Sequence, residues 1–215
     1  MTTMKPPPAD APDALWAGGW YRCARRLPSP NFGPRPPGAQ VELIVVHSIS
    51  LPPGRYGGDA VHRLFTNSLD CDAHPYYQPL RGVQVSAHWL IARDGALWQY
   101  VSAEDRAWHA GASRWRERDN CNDFSVGIEL EGLEGDTFEA PQYETLASLC
   151  AALAARHPVQ AIAGHEHIAP ARKRDPGPGF DWPLLQRMLS WPDAFLPPLR
   201  SGGGPGWGQA ALNEA

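Results

Sequence analysis

The sequence predicts an α/β fold, a single domain with a central mixed β-sheet flanked by helices. Three observations carry this. Val41 to Val46 is a short, unbroken apolar run rich in β-branched residues, the pattern of a central strand buried on both faces. The segments HWLIAR and ALWQYV flank Asp94-Gly95, a dipeptide suited to a two-residue hairpin, so His88 to Val101 should form antiparallel strands. After Pro141, residues Leu146, Leu149, Cys150 and Leu153 recur at i, i+3, i+4 and i+7, the stripe of an amphipathic helix.

Along the chain, prolines crowd the first 37 residues, and 1–14 should be an irregular segment. The strand Val41 to Val46 should stop at His47. A short helix fits Asp59 to Phe65, and the hairpin follows it. In Ser125 to Leu130, Val126, Ile128 and Leu130 alternate with Gly127 and Glu129, which gives a strand with one apolar face and one carboxylate opposite. The helix after Pro141 should end near Arg156, where His157-Pro158 stops it. Asp181 can cap a last helix beginning near Pro183. The ordered domain is expected over 15–198, with a Gly-rich, disordered tail at 199–215.

A chain of 215 residues is too short for a large multidomain enzyme, and 43% hydrophobic residues suffice for an ordinary core. The formal net charge of −4 gives no electrostatic reason to expect nucleic acid as a partner. No apolar run approaches the length of a membrane span, and the N-terminus lacks the apolar stretch of an export signal. A cytoplasmic monomer is the expectation. The four cysteines are scattered without a C-x-x-C pair, as expected of reduced thiols. Pro (23) and Gly (21) are abundant, whereas only Lys5 and Lys173 are lysine.

Eight histidines invite a metal, and position chooses among them. His47 follows a buried strand, His165 follows a second apolar run, and Asp175 comes ten residues later in a Pro/Gly-stiffened loop. Two imidazoles and a carboxylate make a three-ligand zinc site with its fourth position open, the arrangement hydrolysis needs.

The segments GWYRCARRLPSPNF, VVHSISLPPG, LFTNSLDCDAHPYY, VSAHWLIARDG, RAWHAGAS, CNDFSVGIELEG and GHEHIAPARKRDPGPGFDW, running in order from Gly19 to Trp182, resemble the zinc-dependent N-acetylmuramoyl-L-alanine amidases. The resemblance implies the fold those enzymes share with peptidoglycan-recognition proteins. It implies one zinc ion per chain, held by His47, His165 and Asp175, with Glu129 and Lys173 as the catalytic pair. The substrate it implies is a 1,6-anhydromuropeptide of peptidoglycan recycling, cleaved at the amide joining the lactyl group to L-Ala. Glu129 suits this independently, because a carboxylate on a strand can take a proton from attacking water and pass it to the leaving amine. Lys173 would set positive charge where the oxyanion develops. Substrate contacts are expected from Ser48, Trp108 and Arg172, the last by pairing with a substrate carboxylate.

Rival roles exist. His167 would face away from His165 if that segment were extended, Glu131 shares the strand face of Glu129, and His88 and His109 suit hydrogen bonding in the pocket. His62, His74 and His157 read as structural or solvated. Ser48 stands where Asn is common in the family, and Gln84 and Asn120 where Arg is common; these three departures bear on affinity for the peptide stem. Arg174 stands where Thr is common, beside Asp175. Two other readings are an amidase of intact peptidoglycan, which would want an export signal, and a non-catalytic muropeptide-binding module, which would want a lost ligand.

Overall fold

The computed structural model describes residues 12–191. The tail expected at 199–215 and most of the 1–14 segment lie outside the described residues.

Six strands form the main sheet: β1 (Arg25–Arg26), β2 (Leu43–Ile49), β3 (Trp89–Ile91), β4 (Leu97–Gln99), β5 (Ser125–Glu131) and β6 (Ala161–Gly164). Their order is β6-β2-β5-β3-β4-β1. Strands β6, β2, β5 and β3 run parallel, whereas β4 returns antiparallel to β3, so the sheet is mixed as expected. All seven residues of β5 are buried, because the strand lies between two neighbours and is covered on both faces.

Two expectations need correction. β2 does not stop at His47 but runs to Ile49, because β5 keeps pairing beside it through Glu129↔His47, Leu130↔Ser48 and Glu131↔Ile49. The β3–β4 hairpin is longer than a two-residue turn: Gly95 N donates to Ala92 O, Ala92 N donates to Ala96 O, and Gly95 takes φ +82°.

The helices α1 (Ala60–Phe65), α2 (Ala140–Arg156), α3 (His165–Ile168) and α4 (Trp182–Leu189) lie where the pattern placed them or begin directly after a strand. Asp181 Oδ1 accepts from Leu184 N at 2.8 Å, the expected cap of α4. Gln142, fully buried at the start of α2, donates to the carbonyls of Ile91 and Glu131 and so ties the helix to the ends of β3 and β5. Residues Ile44, Val46, Val126, Ile128 and Leu130 pack with Leu146, Leu149 and Leu153 of α2 into the largest core cluster. Leu43 and Val45 of β2 belong to a separate cluster with Ala110, Cys121 and Phe124. Loops and α1 thus cover the face that α2 leaves, and the site forms there near the carboxyl ends of the parallel strands. Among the described residues, no helix is long and apolar enough to cross a membrane.

Candidate metal centre and active site

His47, His165 and Asp175 come together. His47 is brought by β2, His165 opens α3 directly after β6, and Asp175 lies on the loop beyond α3. That loop is pinned to the helix by Glu166 N donating to Asp175 O at 2.9 Å. His47 Nδ1 lies 2.9 Å from His165 Nδ1 and 3.1 Å from Asp175 Oδ2, and His165 Nδ1 lies 3.2 Å from the same oxygen. Donors held about 2.0–2.1 Å from a tetrahedral zinc ion lie about 3.3 Å apart. Both the spacing and the donor set therefore fit the metal, and this is the one such cluster among the described residues.

The electrostatics favour ligation. Burial, and then the neighbouring His165, lower the pKa of His47 to about 4, so the ring is neutral and offers a lone pair at neutral pH. Burial alone would raise the Asp175 carboxyl, but its closeness to His165 and His47 outweighs burial and holds the group ionised.

Glu129 pairs in register with His47 on the adjacent parallel strand, so both side chains leave the sheet on the same side. Its Oε2 is buried without a hydrogen-bond partner among the described residues. Burial, and then the charge of Asp175, push its pKa well above the usual carboxylate range, while Lys173 pulls it back. Such a carboxylate is a ready proton acceptor. Lys173 is half-buried on the turn after α3, where its amide donates to Ala169 O at 2.9 Å.

The three expected substrate contacts are placed differently. Trp108 is half-buried, one residue before His109, and its backbone is fixed to Ser86 by Trp108 N donating to Ser86 Oγ at 3.0 Å and Ser86 N donating to Trp108 O at 3.1 Å. Its ring belongs to none of the three core clusters. The Arg172 guanidinium donates to the carbonyls of Ala110 (2.7 Å) and Ala112 (2.9 Å), which holds that loop over His165. Ser48 follows His47 by one residue on a pleated strand, so its side chain leaves on the opposite side and is not brought to the triad.

The rivals resolve geometrically. His167 is on a helix rather than an extended segment, and its Nδ1 accepts from Gly164 N at 2.8 Å. Glu131 Oε1 accepts from Gly57 N at 2.6 Å and Oε2 from Arg93 N at 3.2 Å, so this carboxylate fastens two loops. His88 Nδ1 accepts from Gly127 N at 3.0 Å, deep in the sheet. Sequence reading missed Arg35, whose guanidinium donates to the carbonyls of Ala103, Asn122, Asp123 and Ser125 behind the site. Burial lowers its pKa to about 10, and a lone Arg among prolines gave no signal of such a role.

Residues 37–178 match the family model for N-acetylmuramoyl-L-alanine amidase. The chain belongs to the N-acetylmuramoyl-L-alanine amidase family. It is 48% identical over 174 residues to 1,6-anhydro-N-acetylmuramyl-L-alanine amidase AmpD of Salmonella typhimurium, covering 80% of this chain and 93% of that protein. Among solved structures, this amidase is similar to a selenomethionine derivative of AmpD, with 47% identity and TM-score 0.80 over 81% of this chain and 99% of the other. A more distant neighbour is the Escherichia coli amidase AmiD, solved in complex with anhydro-N-acetylmuramic acid-L-Ala-D-γ-Glu-L-Lys. It is 29% identical with TM-score 0.52, covering 74% of this chain and 63% of that one. The amidase fold and the enzyme class expected from the sequence are thus borne out.

Proposed function

We propose that this amidase is zinc-dependent and hydrolyses the lactyl-L-alanine amide of 1,6-anhydro-N-acetylmuramyl peptides in peptidoglycan recycling. The observation that carries the reading is the buried Glu129 carboxylate in register beside His47 of a three-donor cluster. It is supported by the likeness to AmpD over most of both chains.

His47, His165 and Asp175 would hold the metal. When bound, zinc supplies Lewis-acid chemistry to the site. Glu129 takes a proton from the attacking water as its oxygen bonds to the amide carbon, then delivers it to the departing L-Ala nitrogen as the C–N bond breaks. Lys173 sets its positive charge beside the oxyanion that forms between these steps. Trp108 offers an aromatic face to the sugar or stem. Arg172 reaches the stem from the rim while its other edge keeps the Ala110–Ala112 loop, and Ser48 would contact the substrate only from the end of β2.

The partner is then a soluble muropeptide, met by a cytoplasmic monomer without nucleic acid or membrane. The four unpaired cysteines, three of them buried, suit a reducing compartment. Comparing an anhydromuramyl tripeptide with intact peptidoglycan tests the assignment. Rapid release of free peptide from the former is expected, and preference for intact wall would overturn the recycling role.

A further inference from the structure

The two ligand imidazoles are oriented by consecutive residues of one loop. His165 Nε2 lies 3.1 Å from Ala110 O. A carbonyl only accepts, so Nε2 carries the hydrogen and Nδ1 is left as a bare lone pair. Ala110 O has a second lone pair, which takes the Arg172 guanidinium. His47 Nε2 meets instead a side chain, His109 Nδ1, at 3.0 Å.

Either of those two nitrogens could donate, and the choice is made at the far end of the chain of contacts. Ser125 Oγ lies 2.6 Å from Cys121 O, which commits its hydroxyl hydrogen to that carbonyl. Its oxygen then accepts from His109 Nε2 at 3.2 Å. His109 therefore carries its hydrogen on Nε2, keeps Nδ1 bare, and accepts from His47 Nε2–H. His47 Nδ1 is thereby freed toward the triad. Each nitrogen then has one role, and every hydrogen is used once.

The loop that does this is itself fixed. Asn122 Oδ1 accepts from both His109 N (3.1 Å) and Ala110 N (2.8 Å). The His109 ring packs against β5 at Gly127, where a Cβ would come within 2.4 Å of His109 Cγ, so only glycine leaves it room.

We propose that His109-Ala110 is the orienting element of this centre, with His109 a positioning residue that holds His47 in its metal-binding tautomer through Ser125. The proposal rests on the zinc reading above.

Nitrogen-15 histidine spectra of the full chain loaded with zinc test it directly. We expect His47 and His165 to be protonated at Nε2 alone, and His109 likewise at Nε2 with its Nδ1 bare. Competition with a chromophoric chelator then gives zinc affinity. His109→Leu should weaken it 10- to 100-fold. His109→Asn, whose amide oxygen can stand near the lost Nδ1, should restore most of the loss, and Ser125→Ala should weaken binding by a smaller factor. Should His109→Leu fail to fold, the spectra and Ser125→Ala decide. Failure of the unaltered chain to take up zinc overturns both readings. Uptake with His109 protonated at Nδ1, or unchanged affinity in folded His109→Leu, overturns this one alone.

Discussion

Glu129 and His47 are register partners on adjacent parallel strands, and the pleat sends both side chains to the side of the sheet that α2 does not cover. The carboxylate and the first metal donor are therefore held by backbone hydrogen bonds rather than by a loop. A base carried this way has its distance to His47 set by the sheet rather than by a loop.

Glu129→Gln keeps the shape of the side chain and removes its capacity to accept a proton. Zinc content should be unchanged and kcat should fall about 10²- to 10⁴-fold. Metal analysis alongside steady-state turnover checks this, and full turnover with bound zinc would end the base assignment.

Lys173→Met keeps the length of the side chain without its charge. If the ammonium stabilises the developing oxyanion, kcat should fall about 10²-fold or more while KM changes little. A rise in KM at constant kcat would make Lys173 a binding residue instead.

The frame of this site was legible in the sequence because its strands are long, apolar and periodic: Leu43–Ile49 and Ser125–Glu131 are both seven residues. His47, His165 and Asp175 were legible because each sits next to a strand or a stiff Pro/Gly loop. The register was not. No pattern within β5 says that Glu129 stands opposite His47, since pairing of parallel strands is fixed by the whole sheet. Nor did Arg25–Arg26 announce an edge strand, because two residues carry no period. Ser48 shows the same gap from the other side: adjacency to His47 in sequence becomes opposition across a pleated strand.

Glu131 supplies a structural prediction. Its two oxygens accept the amides of Gly57 and Arg93, and the side chain is only 8% exposed. Glu131→Gln replaces one acceptor with a donor that faces an N–H group. Destabilisation of about 1–3 kcal/mol should follow, with faster hydrogen exchange at the Gly57 amide. Unchanged exchange there would show that the loop is held by other contacts.

His88 predicts a pH dependence. Burial, and then the Arg35 guanidinium, hold its pKa well below 6.5, with its Nδ1 accepting from Gly127 N and its Nε2 near Asp105 O. His157 and His47 add smaller effects in the same direction. Unfolded, the ring titrates near its ordinary value, so as pH falls the unfolded chain binds the proton first. The contribution is complete above about pH 6.5 and is lost below it, by about 1.4 kcal/mol between pH 7.5 and 5.5. Glu129, with its raised pKa, works the other way, so the test is a difference: metal-free His88→Asn should lose less stability over this range than the unaltered chain in urea unfolding. Equal losses would contradict the account.

The most direct measurement is a zinc titration of the metal-free chain, with hydrolysis of an anhydromuramyl tripeptide read after each addition. The account predicts that activity rises in proportion to zinc and stops at one equivalent, and that Asp175→Ala shows no such endpoint. Full activity before zinc is added, or an Asp175→Ala chain that titrates like the unaltered one, would contradict it.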